Sequence, residues 1–315
     1  MAHGLTRRGL LGTALLAAAP ARAVEQRMVW RDAARGRDMP VLIRLPQSAN
    51  RSGLVLISHG LGGSREGLGY LGSALAEAGW IAVHLQHPGT DIAVWQGSAA
   101  RGQALAAAAF DVGNAVARLQ DGIFAVEEVL RRNSLAGDPL AGRVDAARLA
   151  VAGHSYGAWT VQHLLGQRIP GGERGLALPE RRLKAGIALS PVPPRGLPPR
   201  LAFMRVATPM LHVTGTQDRS YVDGATPEDR EIAFRSITAA PQVLVVFDGA
   251  GHAAFADEPA AGPRWSDPTW HDRTASMSVL FLRAMLDGDA TARARLRAGA
   301  PGLVMAGDRI ETREI

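Results

Sequence analysis

Cysteine is absent from the 315 residues, and lysine occurs only once, as Lys184. The first absence excludes disulfide bonds, a thiolate nucleophile and cysteine-ligated zinc. The second leaves a serine–lysine catalytic dyad only one lysine to use. Because no disulfide indicates the compartment, the compartment must be inferred from the N-terminus.

Long apolar runs are also missing. No stretch of 20 apolar residues follows the N-terminus, although 47% of the residues are hydrophobic and 20% are charged. This composition favours a soluble globular protein with no stable membrane span. Since α/β folds often exceed the usual domain length, we expect one domain over residues 24–315.

A strong excess of one charge is missing from the body of the chain. The formal net charge is +6, but residues 1–23 contain three arginines and no acid, so half of the excess lies there. The other arginines are mixed with acids, as in 127–132 and 229–231, which is typical of a solvated surface. We therefore expect no nucleic-acid partner.

The N-terminus has the features of an export signal. Arg7 and Arg8 precede an apolar stretch, Leu10–Ala19, that is too short to span a bilayer and ends in small residues. The arginine pair followed by Gly-Leu-Leu resembles the bacterial twin-arginine signal, whose export machinery carries folded proteins. We predict a signal peptide over 1–23, cleaved after Ala23, and a periplasmic or secreted protein. An ordinary first helix is the alternative.

Short apolar strands alternate with helices along the mature chain. The pattern predicts strands at 26–32, 40–45, 54–58, 80–85, 149–152, 185–189, 210–213 and 242–247, and helices at 67–78, 115–132, 158–165, 229–236 and 274–286. Repeated β–α units predict an α/β protein with a mostly parallel, doubly wound sheet flanked by helices. In such sheets the ligand lies beyond the carboxyl ends of the strands.

Two longer connections, 89–113 and 191–199, would line or cover such a site, or be surface loops. The connections also contain tryptophans that would either wall a pocket or pack structurally. These tryptophans are Trp95, Trp265 and Trp270.

Ser155 lies in the pentapeptide Gly153-His154-Ser155-Tyr156-Gly157, between a predicted strand and a predicted helix. This G-x-S-x-G context is that of a nucleophile elbow, a tight turn that needs glycines and exposes the serine hydroxyl at the edge of the sheet. The following helix directs its N-terminal dipole toward a developing oxyanion. A turn serine without a catalytic role is the alternative interpretation.

A serine nucleophile needs a base, and hydrolases of this type place the acid and then the histidine after the serine. His163 lies within a predicted helix and His212 within a predicted strand, so both are interpreted as core histidines. His252 follows strand 242–247 in a glycine-rich loop at the expected sheet edge, and it is the predicted base. His271, which follows no strand, is the next candidate.

Asp218 is the predicted acid, because it comes just after strand 210–213 and one strand before His252. It would hold the imidazole tautomer and stabilise the imidazolium. A turn or helix-cap aspartate is the structural alternative. Asp223 and Asp248 are the competing acids.

Two backbone N–H groups would complete an oxyanion hole. One belongs to Tyr156, next to the nucleophile, and the other to the early loop His59–Gly63, where Leu61 is the predicted donor. Glycines beside Leu61 permit a close approach to the substrate, and His59 is interpreted as a loop-shaping residue. The loop lacks the known phosphate-binding glycine motifs and the chain lacks metal-ligand spacing, so we expect no cofactor and no metal.

Several motifs together resemble a known family. They are Ser58-His59-Gly60-Leu61-Gly62-Gly63-Ser64-Arg65, Gly79-Trp80, His87-Pro88-Gly89 and Gly153-His154-Ser155-Tyr156-Gly157-Ala158. They are similar to motifs of bacterial dienelactone-hydrolase-like proteins and platelet-activating-factor acetylhydrolases, over about residues 38–288 and most specifically over 54–90 and 147–165. The resemblance implies an α/β-hydrolase fold and cleavage of carboxylic esters without a cofactor.

Two departures narrow what this resemblance implies. Dienelactone hydrolases use a cysteine nucleophile, so opening of a lactone ring is not implied. The acetylhydrolases carry their acid after the strand that corresponds to 185–189, where this chain has Ser190. Asp218, one strand later, resembles the arrangement in polyester-degrading cutinase-like enzymes, but the resemblance does not select a polymeric substrate.

The sequence therefore predicts a serine hydrolase that cleaves a small-molecule or polymeric ester through an acyl-enzyme, with Ser155, Asp218 and His252 as its catalytic triad. An amidase or peptidase would use the same triad. A non-catalytic binding protein on the same scaffold is the alternative from a different class.

Overall fold

The fold is described by a computed structural model that covers residues 23–171, 175–220, 222, 224–257 and 268–315. The predicted signal peptide lies outside the described residues except for Ala23, as do Asp223 and Trp265.

Nine strands of the described chain form one sheet. They are β1 (Val24–Asp32), β2 (Arg37–Leu45), β3 (Ser52–Ser58), β4 (Ile81–Leu85), β5 (Val144–His154), β6 (Leu183–Leu189), β7 (Met210–Gln217), β8 (Gln242–Gly251) and β9 (Arg309–Arg313). Their order in the sheet is β1-β2-β4-β3-β5-β6-β7-β8-β9. The six strands from β4 to β8 are parallel, whereas β1, β2 and β9 pair antiparallel at the two edges. The protein is therefore α/β, with a mostly parallel sheet of mixed orientation.

The central strands carry short apolar runs because both faces of the sheet are covered there. Every residue of β3 and of β4 is buried. A parallel strand with helices on both sides reads as a continuous apolar run rather than an alternating one, which is why these strands could be predicted from sequence.

The helices are α1 (Gly69–Glu77), α2 (Arg101–Phe110), α3 (Val112–Asn133), α4 (Tyr156–Leu164), α5 (Pro199–Phe203), α6 (Ile232–Ser236), α7 (Pro268–Leu286) and α8 (Ala290–Arg297). Helices α3 to α6 pack on one face of the sheet, in a core that includes Leu56 and Val161. Helices α1, α7 and α8 pack on the other face, in a core that includes Ile57 and Phe281. None of the helices in the described ranges is both long enough and apolar enough to cross a bilayer.

Each predicted strand and helix overlaps an observed one, but four observed elements were not predicted: α2, α5, α8 and β9. The prediction of 89–113 as a plain connection was wrong over Arg101–Phe110, where an alanine-rich stretch has high helix propensity. β9 has the polar sequence RIETR and forms because β8 offers it an unpaired edge. Such pairing depends on tertiary context rather than on local pattern.

Candidate active site

Ser155 occupies a strained turn between β5 and α4. Its backbone has φ +56° and ψ −114°, a conformation that side-chain-bearing residues rarely adopt. The glycines on either side make this turn possible: a Cβ on Gly153 would lie 2.5 Å from the Gly157 carbonyl, and a Cβ on Gly157 would lie 2.0 Å from Ser58 O. The turn leaves Ser155 half-buried rather than enclosed.

Ser155, His252 and Asp218 form one hydrogen-bonded chain. Ser155 Oγ lies 2.9 Å from His252 Nε2, and His252 Nδ1 lies 2.8 Å from Asp218 Oδ1. Because an ionised carboxylate only accepts, Nδ1 carries the hydrogen and Nε2 is free to accept the Ser155 proton. His252 follows β8 and Asp218 follows β7, so all three residues lie at the carboxyl ends of parallel strands.

Asp218 is fully buried and surrounded by donors. Thr214 Oγ1 donates to Asp218 Oδ2 at 2.8 Å. Burial alone would raise the pKa of Asp218, but its hydrogen bond to His252, its electrostatic interaction with His252 and the positive charge of Arg230 outweigh burial and hold this pKa well below its usual range. The carboxylate therefore stays ionised, as an orienting acid must.

Arg230 is a buried partner of this chain that the sequence did not reveal. Its Nε lies 3.3 Å from Asp218 Oδ1, and its Nη1 donates to Pro191 O at 3.0 Å. Its Nη2 lies 3.4 Å from His252 Nδ1. No motif surrounds Arg230, so only the folded structure brings it to the acid.

His154, inside the pentapeptide, holds the backbone of His252. The ring of His154 is buried, and its Nε2 donates to the carbonyl of His252 at 2.9 Å. Burial lowers the pKa of His154 to about 3, so the ring stays neutral. The elbow therefore fixes the position of His252 in addition to presenting Ser155.

The N–H groups of Leu61 and Tyr156 both lack a hydrogen-bond partner among the described residues. The loop that contains Leu61 is held on both sides of this residue. Gly62 N–H donates to Thr90 O at 2.8 Å, and Trp95 Nε1 donates to Gly62 O at 2.7 Å. Leu61, Tyr156 and Ser155 line the same cavity, so two free donors near a serine hydroxyl match the composition of an oxyanion hole.

The other candidate histidines lie elsewhere in the structure. His212 is buried within β7 with Nε2 2.6 Å from Gln242 Oε1, and His271 stacks on Tyr70. His163 donates from Nδ1 to Trp159 O at 2.8 Å, and burial lowers the pKa of His163 to about 4. None of the three contacts Ser155 or Asp218.

Asp248 and Ser190, the two remaining positions considered from the sequence, differ in their distance from the candidate site. Asp248, the described competing acid, is exposed and accepts a hydrogen bond from Thr216 Oγ1 at 3.2 Å, away from His252. Ser190 is buried, and its backbone has φ +54°. Its hydroxyl has no hydrogen bond of standard geometry among the described residues, but it lies close enough to Asp218 to lower the pKa of that carboxyl further.

A cavity of about 210 Å³ opens beside Ser155. Its walls are mainly apolar and include Phe110, Tyr156, Trp159, Ile169, Pro170 and Val192. Both long connections predicted to line the site contribute to it, with Phe110 from 89–113 and Val192 from 191–199. Trp95 and Trp270 are not among the lining residues, whereas Trp159, whose ring lies 5.3 Å from that of Tyr156, was not predicted.

Within the described ranges, no group of three or more histidine, cysteine, aspartate or glutamate side chains could hold a metal ion. Comparison with protein-family models finds no matching family, and comparison with curated proteins finds no match. The function is therefore inferred from the geometry and chemistry of the site.

Proposed function

We propose that this protein is a serine hydrolase of the α/β-hydrolase fold that cleaves carboxylic esters, with Ser155 as nucleophile, His252 as base and Asp218 as the orienting acid. The observation that carries the proposal is the chain Asp218–His252–Ser155, with contacts of 2.8 and 2.9 Å. A buried, ionised carboxylate, an oriented imidazole and an accessible hydroxyl in that order are what serine acyl transfer requires.

The fold assignment rests on the context of these residues. Ser155 sits on a strained strand-to-helix turn, the acid and histidine follow it in the chain, and the second oxyanion donor comes from an early strand-to-helix loop. This combination is the signature of the α/β-hydrolase nucleophile elbow. The resemblance to dienelactone-hydrolase-like proteins supports the same assignment.

In the proposed reaction, Ser155 Oγ attacks the ester carbonyl carbon while its proton passes to His252 Nε2. The tetrahedral oxyanion accepts hydrogen bonds from the N–H groups of Leu61 and Tyr156. The bond between carbon and the alcohol oxygen then breaks, and His252 returns the proton to the leaving alkoxide. A water molecule, deprotonated by His252, attacks the acyl-Ser155 carbonyl. The bond between carbon and Ser155 Oγ then breaks, His252 returns the proton to Oγ, and the acid is released.

The cavity favours a compact apolar acyl group. A cavity of about 150 Å³ holds one benzene ring, so about 210 Å³ accommodates an aromatic acyl group or a chain of roughly six carbons. Each methylene buried there adds about fourfold to kcat/KM until the cavity is filled.

Hydrolysis of p-nitrophenyl esters from acetate to palmitate, with benzoate, tests the proposal. Wild type should cleave hexanoate and benzoate most efficiently, and Ser155→Ala and Asp218→Asn should lose at least about 10³-fold in kcat. Asp248→Asn is the matched control and should keep full activity, since Asp248 is not one of the three hydrogen-bonded residues Asp218, His252 and Ser155. A loss of kcat in both Asp218→Asn and Asp248→Asn, or in neither, would contradict the assignment of Asp218 as the acid.

A second variant tests whether the cavity sets the preferred acyl length. Trp159→Ala should shift the optimum toward longer chains, because the Trp159 ring forms one wall of the cavity. Trp270→Ala removes a tryptophan that does not line the cavity and should leave the profile unchanged. An optimum at palmitate in wild type would exclude the compact acyl group and leave the hydrolase assignment intact.

We also propose export of the protein to the periplasm, supported by the paired Arg7 and Arg8 before the apolar stretch Leu10–Ala19. Replacing both arginines by lysine should retain an unprocessed precursor in the cytoplasm, as detected by fractionation. Normal processing of that variant would exclude the twin-arginine route.

A further inference from the structure

The side chain of Arg118, on α3, is fully buried behind the loop that contains Leu61. Its Nε donates to Thr160 Oγ1 at 3.0 Å, and its Nη1 donates to Thr90 Oγ1 at 2.8 Å. Its Nη2 donates both to Ser58 Oγ at 2.9 Å and to His59 O at 2.6 Å. These four acceptors are uncharged and belong to three separate segments of the chain.

Two of these segments carry the candidate oxyanion donors. His59 begins the loop that contains Leu61. Thr160 lies one turn beyond Tyr156 on α4, and its hydroxyl also donates to Tyr156 O at 2.9 Å. The guanidinium carbon of Arg118 lies 4.5 Å from the centre of the Tyr156 ring. One planar group with fixed donor directions therefore contacts both sides of the candidate oxyanion hole.

The third segment supports the same loop. Thr90 accepts from Arg118 through its hydroxyl and from the Gly62 N–H through its carbonyl, at 2.8 Å in each case. Gly62 follows Leu61 directly, so the position of the Leu61 peptide depends on where Arg118 holds Thr90.

Behind Arg118 lies a second chain of serine, histidine and aspartate. Ser58 Oγ is 3.0 Å from His87 Nε2, and His87 Nδ1 is 3.0 Å from Asp121 Oδ2. All three side chains are buried, so no substrate reaches them. Burial, together with the charge of Arg118, lowers the pKa of His87 to about 4, and the backbone N–H of His87 donates to His59 Nε2 at 3.0 Å. This second chain therefore supports the loop rather than reacting.

We propose that Arg118 is a positioning residue that fixes the spacing between the N–H groups of Leu61 and Tyr156, and thereby the affinity of the site for a tetrahedral oxyanion. The proposal rests on the proposed serine-hydrolase function. The two donors act most strongly on the charge that develops in the transition state, so their spacing affects kcat more than KM. A displacement of about 1 Å is enough to reduce the rate roughly a hundredfold.

The test compares Arg118→Met with Arg132→Met, both purified as the full mature protein. Arg132 is on the same helix, pairs with Glu128 and Asp138, and contacts none of the residues around the candidate hole. Arg118→Met should lose roughly a hundredfold in kcat per folded molecule, with KM within about threefold of wild type. Arg132→Met should keep both constants.

A trifluoromethyl ketone that forms a tetrahedral adduct with Ser155 gives an independent readout. Arg118→Met should weaken its inhibition by the same factor as kcat, while inhibition by the product acid stays unchanged. If Arg118→Met does not fold, Thr160→Val removes one acceptor at nearly constant shape. It should lose about tenfold in kcat and in ketone affinity at unchanged KM, the effect of one lost hydrogen bond.

Three results would overturn the inference. If Arg118→Met and Thr160→Val keep the kcat and the ketone affinity of the wild type, Arg118 does not set the spacing of the Leu61 and Tyr156 N–H groups. Equal losses of ketone and product-acid affinity would show a general packing role. A wild type that cleaves no ester and forms no ketone adduct would overturn the proposed function and this inference together, whereas an active wild type with unaffected variants would overturn the inference alone.

Discussion

At the scale of single residues, Gly157 lies where any side chain would collide with the end of a neighbouring strand. A Cβ there would lie 2.0 Å from Ser58 O and 3.0 Å from His59 O. Both atoms are backbone and cannot rotate away. The absence of a side chain therefore lets the helix after Ser155 approach the loop that contains Leu61, which brings the two candidate oxyanion donors together.

Gly157→Ala should lower the free energy of unfolding by about 3 kcal/mol and reduce ester turnover by at least about a hundredfold, because backbone must move at the elbow. Urea denaturation and p-nitrophenyl ester hydrolysis measure the two effects. Gly102→Ala is the matched control: Gly102 is exposed on α2 with open space around it, so alanine should change stability by less than about 1 kcal/mol, in the stabilising direction. Equal stability and equal turnover of Gly157→Ala and Gly102→Ala would contradict the close approach of the helix after Ser155 to Ser58 and His59.

The triad residues could be predicted from the sequence, whereas the two buried arginines of the site could not. Ser155, Asp218 and His252 could be proposed together because each follows a predicted strand and their order in the chain is informative. Arg118 and Arg230 could not, because each contacts residues far away in sequence and neither belongs to a local pattern. A buried arginine is visible only once the fold has placed its acceptors.

At the scale of elements, the strands that position the site were predictable and the edge elements were not. The apolar runs of β3, β5, β7 and β8 are buried on both faces of the sheet, so they stand out from the surrounding sequence. β9 is polar and partly exposed, and its pairing with β8 is set by tertiary contacts alone.

Because β9 covers the edge of β8, deletion of residues 309–315 should lower the free energy of unfolding by about 3–5 kcal/mol and promote aggregation. Five residue pairs of the β8–β9 ladder are lost, together with the bonds from Arg313 to Phe234 O and Ile237 O. Glu311→Gln, which breaks only the surface ion pairs with Arg235 and Arg309, should cost about 1 kcal/mol or less. If urea denaturation gives similar losses for both, ion pairing rather than strand pairing holds β9.

At the scale of the whole molecule, buried neutral histidines are spread through the sheet, its loops and α4. Burial is the main cause that lowers their pKa values: to about 3 for His84 and His154, to about 4 for His87, His163 and His212, and well below the usual value for His59. In the unfolded chain each would have a pKa near 6.5. Between about pH 6.5 and 4 the unfolded state therefore binds more protons than the folded state, and stability falls as the pH falls.

From pH 7.5 to 5.5 these six histidines together should remove several kcal/mol of stability, on the order of 1 kcal/mol each. This loss is comparable with the whole stability of a typical protein, so unfolding in acid should begin well above the pH at which carboxylates protonate. Urea midpoints at pH 7.5, 6.5 and 5.5 measure the effect. His212→Gln should flatten the dependence by about one sixth, and a midpoint independent of pH down to 5 would contradict the neutral, buried state of the histidines.

The central claim is that Ser155 is an activated nucleophile, and a fluorophosphonate probe tests it most directly because only an activated serine reacts quickly with it. The mature protein should take up one probe molecule per chain, mapped by mass spectrometry to Ser155, while Ser155→Ala takes up none and Asp218→Asn reacts far more slowly. Absence of labelling in wild type, or labelling at another serine such as Ser58, would contradict the account.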